Sequence, residues 1–117
     1  MSNITNQSLS EILESIKSKK ISSLELTQAY IKNIENAKKL NAFVTTTFDQ
    51  ALENAKKFDN KPNNEQLLSG VPLAVKDLFC TENVKTTAGS NILNNFVPSY
   101  ESTVTKNLWN KIGRAHV

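Results

Sequence analysis

Lys76 is the residue whose surroundings most favour chemistry. It follows an apolar run at 71–75 and stands directly before Asp77. A short apolar run between turn residues is typical of a buried strand, so we expect the lysine at the end of a strand, at the rim of a sheet. Burial without partners is unfavourable for an ammonium group. A desolvated amine favours its neutral form, which can accept a proton from a serine hydroxyl.

The ordinary interpretation is a surface lysine that pairs with Asp77 or with another carboxylate. Most lysines are solvated, and on the residues alone this interpretation is the stronger one. The two interpretations differ in whether the Lys76 amine lies beside a concave surface or out in bulk water.

The sequence offers little support for other kinds of site. It has no Cys/His spacing typical of a metal site and no glycine-rich phosphate loop. The one histidine, His116, stands near the end of the chain, which makes a Ser-His-Asp triad implausible. A lone cysteine such as Cys80 is usually inert packing rather than a nucleophile. We therefore expect this chain to bind no metal or cofactor.

Two further segments accompany the lysine. Residues 86–90, Thr-Thr-Ala-Gly-Ser, predict a hydroxyl-rich turn in which Gly89 supplies a positive φ. Residues 95–104, Asn-Phe-Val-Pro-Ser-Tyr-Glu-Ser-Thr-Val, lead into a helical pattern. Together with Gly-Val-Pro-Leu-Ala-Val-Lys-Asp at 70–77, these motifs make the chain resemble the amidase signature family. Within that family it is similar above all to the A subunits of the amidotransferases that act on Glu-tRNA(Gln) or Asp-tRNA(Asn).

The resemblance implies an α/β fold. The chain would supply the amino-terminal part of an α/β/α sandwich around a mixed central sheet, with two to three leading helices and then the first strands. Residues 1–111 would be the amino-terminal portion of a single amidase domain. Residues 112–117 depart from the family pattern, so we suspect a non-native tail and give His116 no role. A true terminus is the rival interpretation.

The resemblance also implies a role for Lys76. In this family the lysine of the Val-Lys-Asp block begins a Ser–cis-Ser–Lys relay, in which a bridging serine passes a proton to the lysine and a second serine attacks an amide carbonyl. Both serines belong to a Gly/Ser-rich segment, and this chain, with three glycines, has no such segment. Three serines near the lysine do not match that motif, namely Ser90, Ser99 and Ser102. We expect the hydroxyl residues of the turn to shape the wall behind the lysine, namely Thr86, Thr87 and Ser90.

The whole enzyme implied by the resemblance hydrolyses glutamine and delivers the ammonia to Glu-tRNA(Gln) or Asp-tRNA(Asn). ATP and Mg would be used on a partner B subunit. The other implied partners are a C subunit, glutamine and the charged tRNA. The chain alone is expected to be inactive, since it lacks both relay serines. Two alternatives stay open: another amide hydrolase of the family that acts without tRNA, or a non-catalytic binding module.

Composition sets broad limits on the protein. A chain of 117 residues is long enough for one modest domain with a real core. The net charge of +3 is carried by scattered lysines, which does not argue for nucleic-acid binding by charge alone. No apolar run approaches the roughly 20 residues of a membrane span, and no secretory signal is visible. We therefore predict a cytoplasmic bacterial protein with no membrane contact, with an organellar matrix as the second choice.

Hydrophobic periodicity predicts four helices. The first two, over 9–19 and 23–39, each begin with the Ser-x-x-Glu spacing of a capping box. Asp49 is expected to cap the third helix, and the fourth covers about 102–112. The predicted buried stripes are Leu9, Ile12, Leu13 and Ile16; then Leu26, Tyr30, Ile34 and Ala37; then Ala51, Leu52, Ala55 and Phe58; and finally Val104, Leu108 and Ile112.

The segments between the helices carry strand and turn signals. Residues 41–48 are rich in β-branched and aromatic types, which predicts a strand. Residues 59–66 are polar with Asn and Pro, which predicts a loop. A short helical turn is expected to start at Ser90 or Asn91 and to continue through Ile92 and Leu93.

Overall fold

The computed structural model describes residues 3–62 and 65–112. Four α-helices dominate it: α1 (Leu9–Lys17), α2 (Ser23–Asn36), α3 (Phe48–Asn60) and α4 (Thr103–Ile112). Three short 3-10 turns accompany them, at Ile4–Asn6, Lys38–Leu40 and Asn91–Leu93. The last of these confirms the predicted helical turn. The predicted loop positions 63 and 64, and the suspected tail at 113–117, lie outside the described residues.

Both predicted capping boxes are present at the starts of α1 and α2. The Ser8 hydroxyl accepts from the Glu11 N–H at 3.3 Å, and the Glu11 carboxylate accepts from the Ser8 N–H at 2.7 Å. Ser22 and Glu25 repeat the arrangement at 3.0 and 2.9 Å. Because each box uses residues three apart, local sequence is enough to predict where these helices begin.

The predicted ends of α1 and α2 fall two to three residues too late. Lys19 has a left-handed φ of 59°, which ends the helical path after α1. After α2 the chain tightens into the 3-10 turn Lys38–Leu40, which ends at Asn41 with a φ of 50°. Left-handed residues and 3-10 turns are common where helices end.

The hydrophobic core contains side chains from α1 and α2. Ile12 and Ile16 of α1 are buried against Leu26 of α2. The stripe predicted for α1 is therefore confirmed at these positions, whereas Leu9 is half-exposed. The part-buried side chains that pack against the core come from several segments: Ile4, Ile21, Tyr30, Phe58 and Val71.

A buried polar junction joins α2, α3 and the approach to Lys76. The backbone N–H groups of Ser23 and Leu24 each donate to the Asp59 carboxylate at 2.9 Å. The Ser23 hydroxyl donates to the Gly70 carbonyl at 2.6 Å and is fully buried. The predicted loop at 59–66 therefore begins too early, because Asp59 still belongs to α3 and anchors the start of α2.

The expectation that Asp49 caps α3 is wrong. Thr47 precedes the helix and makes no side-chain capping bond, and the Ala51 N–H reaches the Thr47 carbonyl at 3.0 Å. Phe48 is thereby included in the helix, so Asp49 falls within its first turn. There its charge still interacts favourably with the helix dipole. The predicted buried positions Ala51 and Ala55 are confirmed.

The strands predicted at 71–75 and 41–48 are not formed among the described residues. Leu73 occupies a single bridge position, and Thr81 and Val84 form an isolated antiparallel bridge. A strand needs a neighbour that supplies ladder hydrogen bonds. Within 3–62 and 65–112 no extended segment runs beside either stretch for the length of a strand.

Helix α4 packs on a face that the hydrophobic pattern does not predict. Val104 is 45% exposed, whereas Thr105 and Trp109 are buried. The Thr105 hydroxyl donates to the Cys80 carbonyl at 3.3 Å, and the Trp109 indole N–H donates to the Glu101 carboxylate. These polar contacts select a register one residue away from the predicted Val104 stripe. The side chain of Ile112, also predicted there, is not among those described.

In the described part of the chain, no helix combines the length and the hydrophobicity needed to cross a membrane.

Candidate active site around Lys76

Lys76 lies on the wall of a cavity of about 440 Å³. Three segments surround this space: the stretch after α2, the end of the apolar run, and the turn that follows it. The side chains that line it are mostly apolar or hydroxylic, namely Ala42, Phe43, Val44, Thr45, Thr47, Ala74, Val75, Lys76, Asp77, Phe79, Thr81, Val84, Lys85 and Thr86. Lys76 therefore lies beside a concave surface.

Lys76 is not buried among the described residues. The residue is exposed, although its backbone carbonyl is fixed by the Phe79 N–H at 3.1 Å. Its ammonium group has no hydrogen bond or ion pair to any residue that the structure describes. The alternative pairing with Asp77 is not formed either. Lys76 thus lies at the cavity rim with its amine free to meet another group.

The Asp77 carboxylate binds the turn at 86–90 rather than the adjacent Lys76. Its carboxylate accepts from the Thr87 N–H at 2.8 Å and from the Thr87 hydroxyl. Its backbone carbonyl accepts from the Ala88 N–H at 2.7 Å. One acidic residue thereby fastens two successive residues of a turn ten positions further along the chain.

The environment of Asp77 stabilises its ionised form. Burial alone would raise the pKa of Asp77, but hydrogen bonds from the Thr87 hydroxyl and from the backbone of Thr87 and Gly89 outweigh it, and the charge of Lys85 adds to them. The net result is a pKa below the usual aspartate value. The carboxylate therefore stays ionised to a lower pH than that of an ordinary aspartate.

The turn at 86–90 matches the prediction in part. Gly89 has the expected positive φ, 70°, and Ala88 precedes it with 50°. Thr86 is buried and lines the cavity, and Thr87 is buried behind it through its bonds to Asp77. Ser90 does not line the cavity. Its hydroxyl instead accepts from the Ile92 N–H at 3.2 Å, at the start of the 3-10 turn Asn91–Leu93.

Cys80 lies outside the cavity lining. Its thiol donates to the Tyr100 hydroxyl at 3.5 Å, and this contact raises the pKa of Tyr100. The thiol thus meets a phenol rather than a base, and its geometry is that of a packing residue, as the sequence suggests.

Glu101 connects α4 to the backbone at Glu82 through hydrogen bonds. Its carboxylate accepts from the Glu82 N–H at 2.9 Å and from the Trp109 indole. The Ser102 N–H also donates to the Cys80 carbonyl at 2.8 Å. Sequence reasoning misses both Glu101 and the anchoring role of Asp77. Their partners are distant in sequence and no local spacing signals them.

A metal site is not formed by the described residues. They contain no group of three or more His, Cys, Asp or Glu side chains placed to hold an ion.

Comparison of the sequence with protein-family models assigns a family to the region that contains this site. The Amidase family model matches residues 25–112, which include most of α2, the cavity and α4. The chain belongs to the amidase family. The matched region contains every residue of the Lys76 cavity, so the family assignment covers the candidate site itself.

Relatives within the amidase family share much of the sequence. The chain is 59% identical over 111 residues to the A subunit of a glutamyl-tRNA(Gln) amidotransferase from Pelagibacter ubique (strain HTCC1062). It is 48% identical over 115 residues to the protein of the same name from Rickettsia bellii (strain OSU 85-389). These matches cover 95% and 97% of this chain but 23% of each relative. The chain thus spans about a quarter of the length of these relatives.

A solved structure gives the same fold assignment. A bacterial aryl acylamidase, described as a member of the amidase signature enzymes, superposes with a TM-score of 0.79 at 30% identity. The match covers 91% of this chain and 23% of that protein. The helical architecture described above is therefore that of the amino-terminal part of an α/β amidase fold.

Proposed function

We propose that this sequence forms the leading section of the A subunit of a tRNA-dependent amidotransferase, and that Lys76 is the proton acceptor of its glutamine-hydrolysing site. In this proposal residues 1–111 belong to a single amidase domain, whose two relay serines lie further along the polypeptide. The enzyme releases ammonia from glutamine for the amidation of Glu-tRNA(Gln) or Asp-tRNA(Asn).

The chemistry assigned to Lys76 is proton transfer. One serine hydroxyl attacks the side-chain amide carbon of glutamine, and its proton passes through a bridging serine to the neutral amine of Lys76. The C–N bond then breaks, the proton returns to the leaving nitrogen, and ammonia departs. Water hydrolyses the resulting ester to glutamate. An adjacent base is the usual way in which a weak serine nucleophile is activated.

One observation carries this proposal: the lysine of the Val-Lys-Asp block lines a cavity and its amine has no partner among the described residues. A lysine with a structural role would be expected to pair with a carboxylate, and the adjacent one, Asp77, is engaged by Thr87. The cavity gives room for a substrate and for the missing serines. The similarity to the amidotransferase A subunits supports glutamine as the substrate.

In the proposed complex, other subunits carry out the remaining steps. A partner B subunit uses ATP and Mg to activate the tRNA-linked carboxylate, and a C subunit completes the assembly. This chain contributes neither a metal site nor a cofactor site in the proposal. Its role is to position the Lys76 amine.

Replacement of Lys76 tests the proposal. In the full-length polypeptide that carries this sequence, Lys76→Met is expected to lower the rate of glutamine hydrolysis by at least about 100-fold, the usual effect of losing a positioned base. Lys106→Met provides a matched control, because Lys106 is an exposed lysine on α4 outside the cavity. Hydrolysis that survives Lys76→Met would contradict the proposal and would favour a non-catalytic binding module.

A second candidate is an amide hydrolase that works without tRNA. The superposition on an aryl acylamidase favours it, because that protein has the same leading architecture at 30% identity. Two measurements separate the candidates. An amidotransferase A subunit copurifies with B and C subunits and passes ammonia to charged tRNA, whereas an independent amidase hydrolyses aryl amides alone.

A further inference from the structure

Asp77 lines the cavity and is hydrogen-bonded to the turn at 86–90, although the relay assigns it no step. Both carboxylate oxygens of Asp77 accept hydrogen bonds from Thr87, and its carbonyl accepts one from the next residue, Ala88. Thr87 is only 5% exposed. An aspartate in a surface loop is ordinarily solvated, so this threefold attachment to a buried turn is a specific structural feature.

We propose that Asp77 is the positioning residue of Lys76. Its carboxylate and carbonyl hold the turn at 86–89, and this attachment fixes the backbone from which Lys76 reaches the cavity. The proposal rests on the proton-acceptor role given to Lys76 above, and extends it to a second residue and to the turn.

The need for such an anchor follows from the lysine itself. A lysine amine stands at the end of a flexible four-carbon stem, and the amine of Lys76 has no partner among the described residues to hold it. Its position therefore depends on the backbone at 76–77 and on the cavity wall. Misplacement of a reacting group by about 1 Å can lower a rate roughly 100-fold.

The anchor also sets the wall that faces the lysine. Thr86 lines the cavity together with Lys76, and it directly precedes the threonine that Asp77 holds. The Thr86 hydroxyl donates to the Val84 carbonyl at 3.0 Å, and its N–H donates to the Phe96 carbonyl at 3.0 Å. Loosening of the Asp77–Thr87 contact would therefore shift the lysine and its facing wall together.

Asp77 further keeps the lysine without a counter-ion. Because its carboxylate is turned toward Thr87 and toward the charge of Lys85, it does not form an ion pair with Lys76. The Lys76 amine is therefore left open to another group at the cavity.

Four variants of the full-length polypeptide test the positioning role by glutamine hydrolysis. Asp77→Asn keeps the shape and removes the charge, and Thr87→Val removes the hydroxyl but keeps the N–H bond. Both are expected to lower kcat by about 10- to 100-fold with little change in KM, because the reacting amine is misplaced while the binding surface remains. Thr87→Ser keeps both donors and should retain kcat close to that of the unchanged protein. Asp49→Asn, on an exposed turn of α3 outside the cavity, is the control.

The outcomes separate the two proposals. If Lys76→Met abolishes hydrolysis while Asp77→Asn and Thr87→Val keep the normal kcat, the positioning role is wrong and the proton-acceptor role stands. If kcat falls only in proportion to the amount of folded protein, with Thr87→Ser falling equally, Asp77 is merely structural. If Lys76→Met remains active, both proposals fail. Should Asp77→Asn not fold, Thr87→Val decides the question through its kcat and KM.

Discussion

Two glycines near the site, Gly70 and Gly89, share a left-handed backbone but differ in their surroundings. Their φ angles are 80° and 70°. A Cβ added at Gly70 would lie 2.6 Å from a ring carbon of Phe58, whereas one added at Gly89 would meet nothing within 4 Å. The pair therefore separates backbone strain from steric overlap.

We predict that Gly89→Ala destabilises the chain by about 1 kcal/mol, the usual cost of a left-handed alanine. Gly70→Ala should destabilise it by about 2–4 kcal/mol, because overlap with a packed ring adds to that strain. Urea unfolding of the full-length polypeptide, followed by circular dichroism, gives the midpoint of each variant. Equal shifts for the two variants would contradict this prediction. They would show that the Phe58 ring moves aside without cost and that its closeness to Gly70 does not affect stability.

A second residue-scale prediction follows from the lowered pKa of Asp77. A carboxyl group whose pKa is lower in the folded state stabilises the fold fully above its unfolded pKa, about 3.9. That contribution disappears as the pH falls through the lower folded pKa. Asp77→Asn should therefore be less stable than the unchanged chain at neutral pH, and the difference should shrink steadily as the pH is lowered below about 4.

Urea midpoints of the full-length polypeptide with and without Asp77→Asn, measured between neutral and acidic pH, check this expectation. The exposed Glu53, whose pKa the hydrogen bond and charge of Lys57 lower, is present in both proteins, so its contribution cancels. A difference between the two proteins that stays constant with pH would contradict the role assigned to the Asp77 charge.

At the scale of elements, the start of α2 is the junction that connects the helices to the site. Ser23 binds the Gly70 carbonyl, and Asp59 at the end of α3 binds the first N–H groups of α2. Because Gly70 precedes Lys76 by six residues, this junction fixes one end of the segment that carries the lysine.

We predict that Ser23→Ala and Asp59→Ala each destabilise the chain by about 1–3 kcal/mol, because each leaves buried backbone groups without a partner. Asp49→Ala is the matched control, since Asp49 is exposed in the first turn of α3 and should contribute less than about 1 kcal/mol through the helix dipole. Urea unfolding of the full-length polypeptide carrying each substitution, followed by circular dichroism, measures all three. Indistinguishable midpoints for Asp59→Ala and Asp49→Ala would contradict the proposed junction.

The elements also show what local sequence can predict. The starts of α1 and α2 follow from capping boxes that lie within four residues, and the buried alanines of α3 follow from simple periodicity. The register of α4 does not follow from local sequence. Thr105 and Trp109 face inward because they form hydrogen bonds with Cys80 and Glu101, and not because of the hydrophobic pattern. Apolar residues predict a strand at 71–75, but ladder partners depend on other segments. Lys76 stands out because of its motif, whereas the role of Asp77 depends on the position of Thr87.

At the scale of the whole molecule, large apolar side chains remain uncovered. Ile92 is 93% exposed, and Leu40 and Leu67 are 76% and 74% exposed. The radius of gyration is 14.6 Å, above the about 13 Å typical of a compact domain of this length. A surface of this kind is typical of a segment that packs against further protein.

We therefore predict that the 117-residue chain alone is aggregation-prone or molten. It should bind a hydrophobic dye such as ANS and lose Trp109 packing over a broad temperature range. The full-length polypeptide is the control and should unfold cooperatively. A sharp, cooperative thermal transition of the isolated chain without dye binding would contradict this prediction.

The decisive measurement for the role of Lys76 is the distance from its amine to the nearest serine hydroxyl in an experimental structure of the full-length polypeptide. The account predicts hydrogen-bond contact, about 2.6–3.2 Å, between this amine and one of the two relay serines of the proposed function, at the cavity described here. A Lys76 amine that points into bulk solvent, with no serine hydroxyl in reach and the cavity filled by other side chains, would contradict that role.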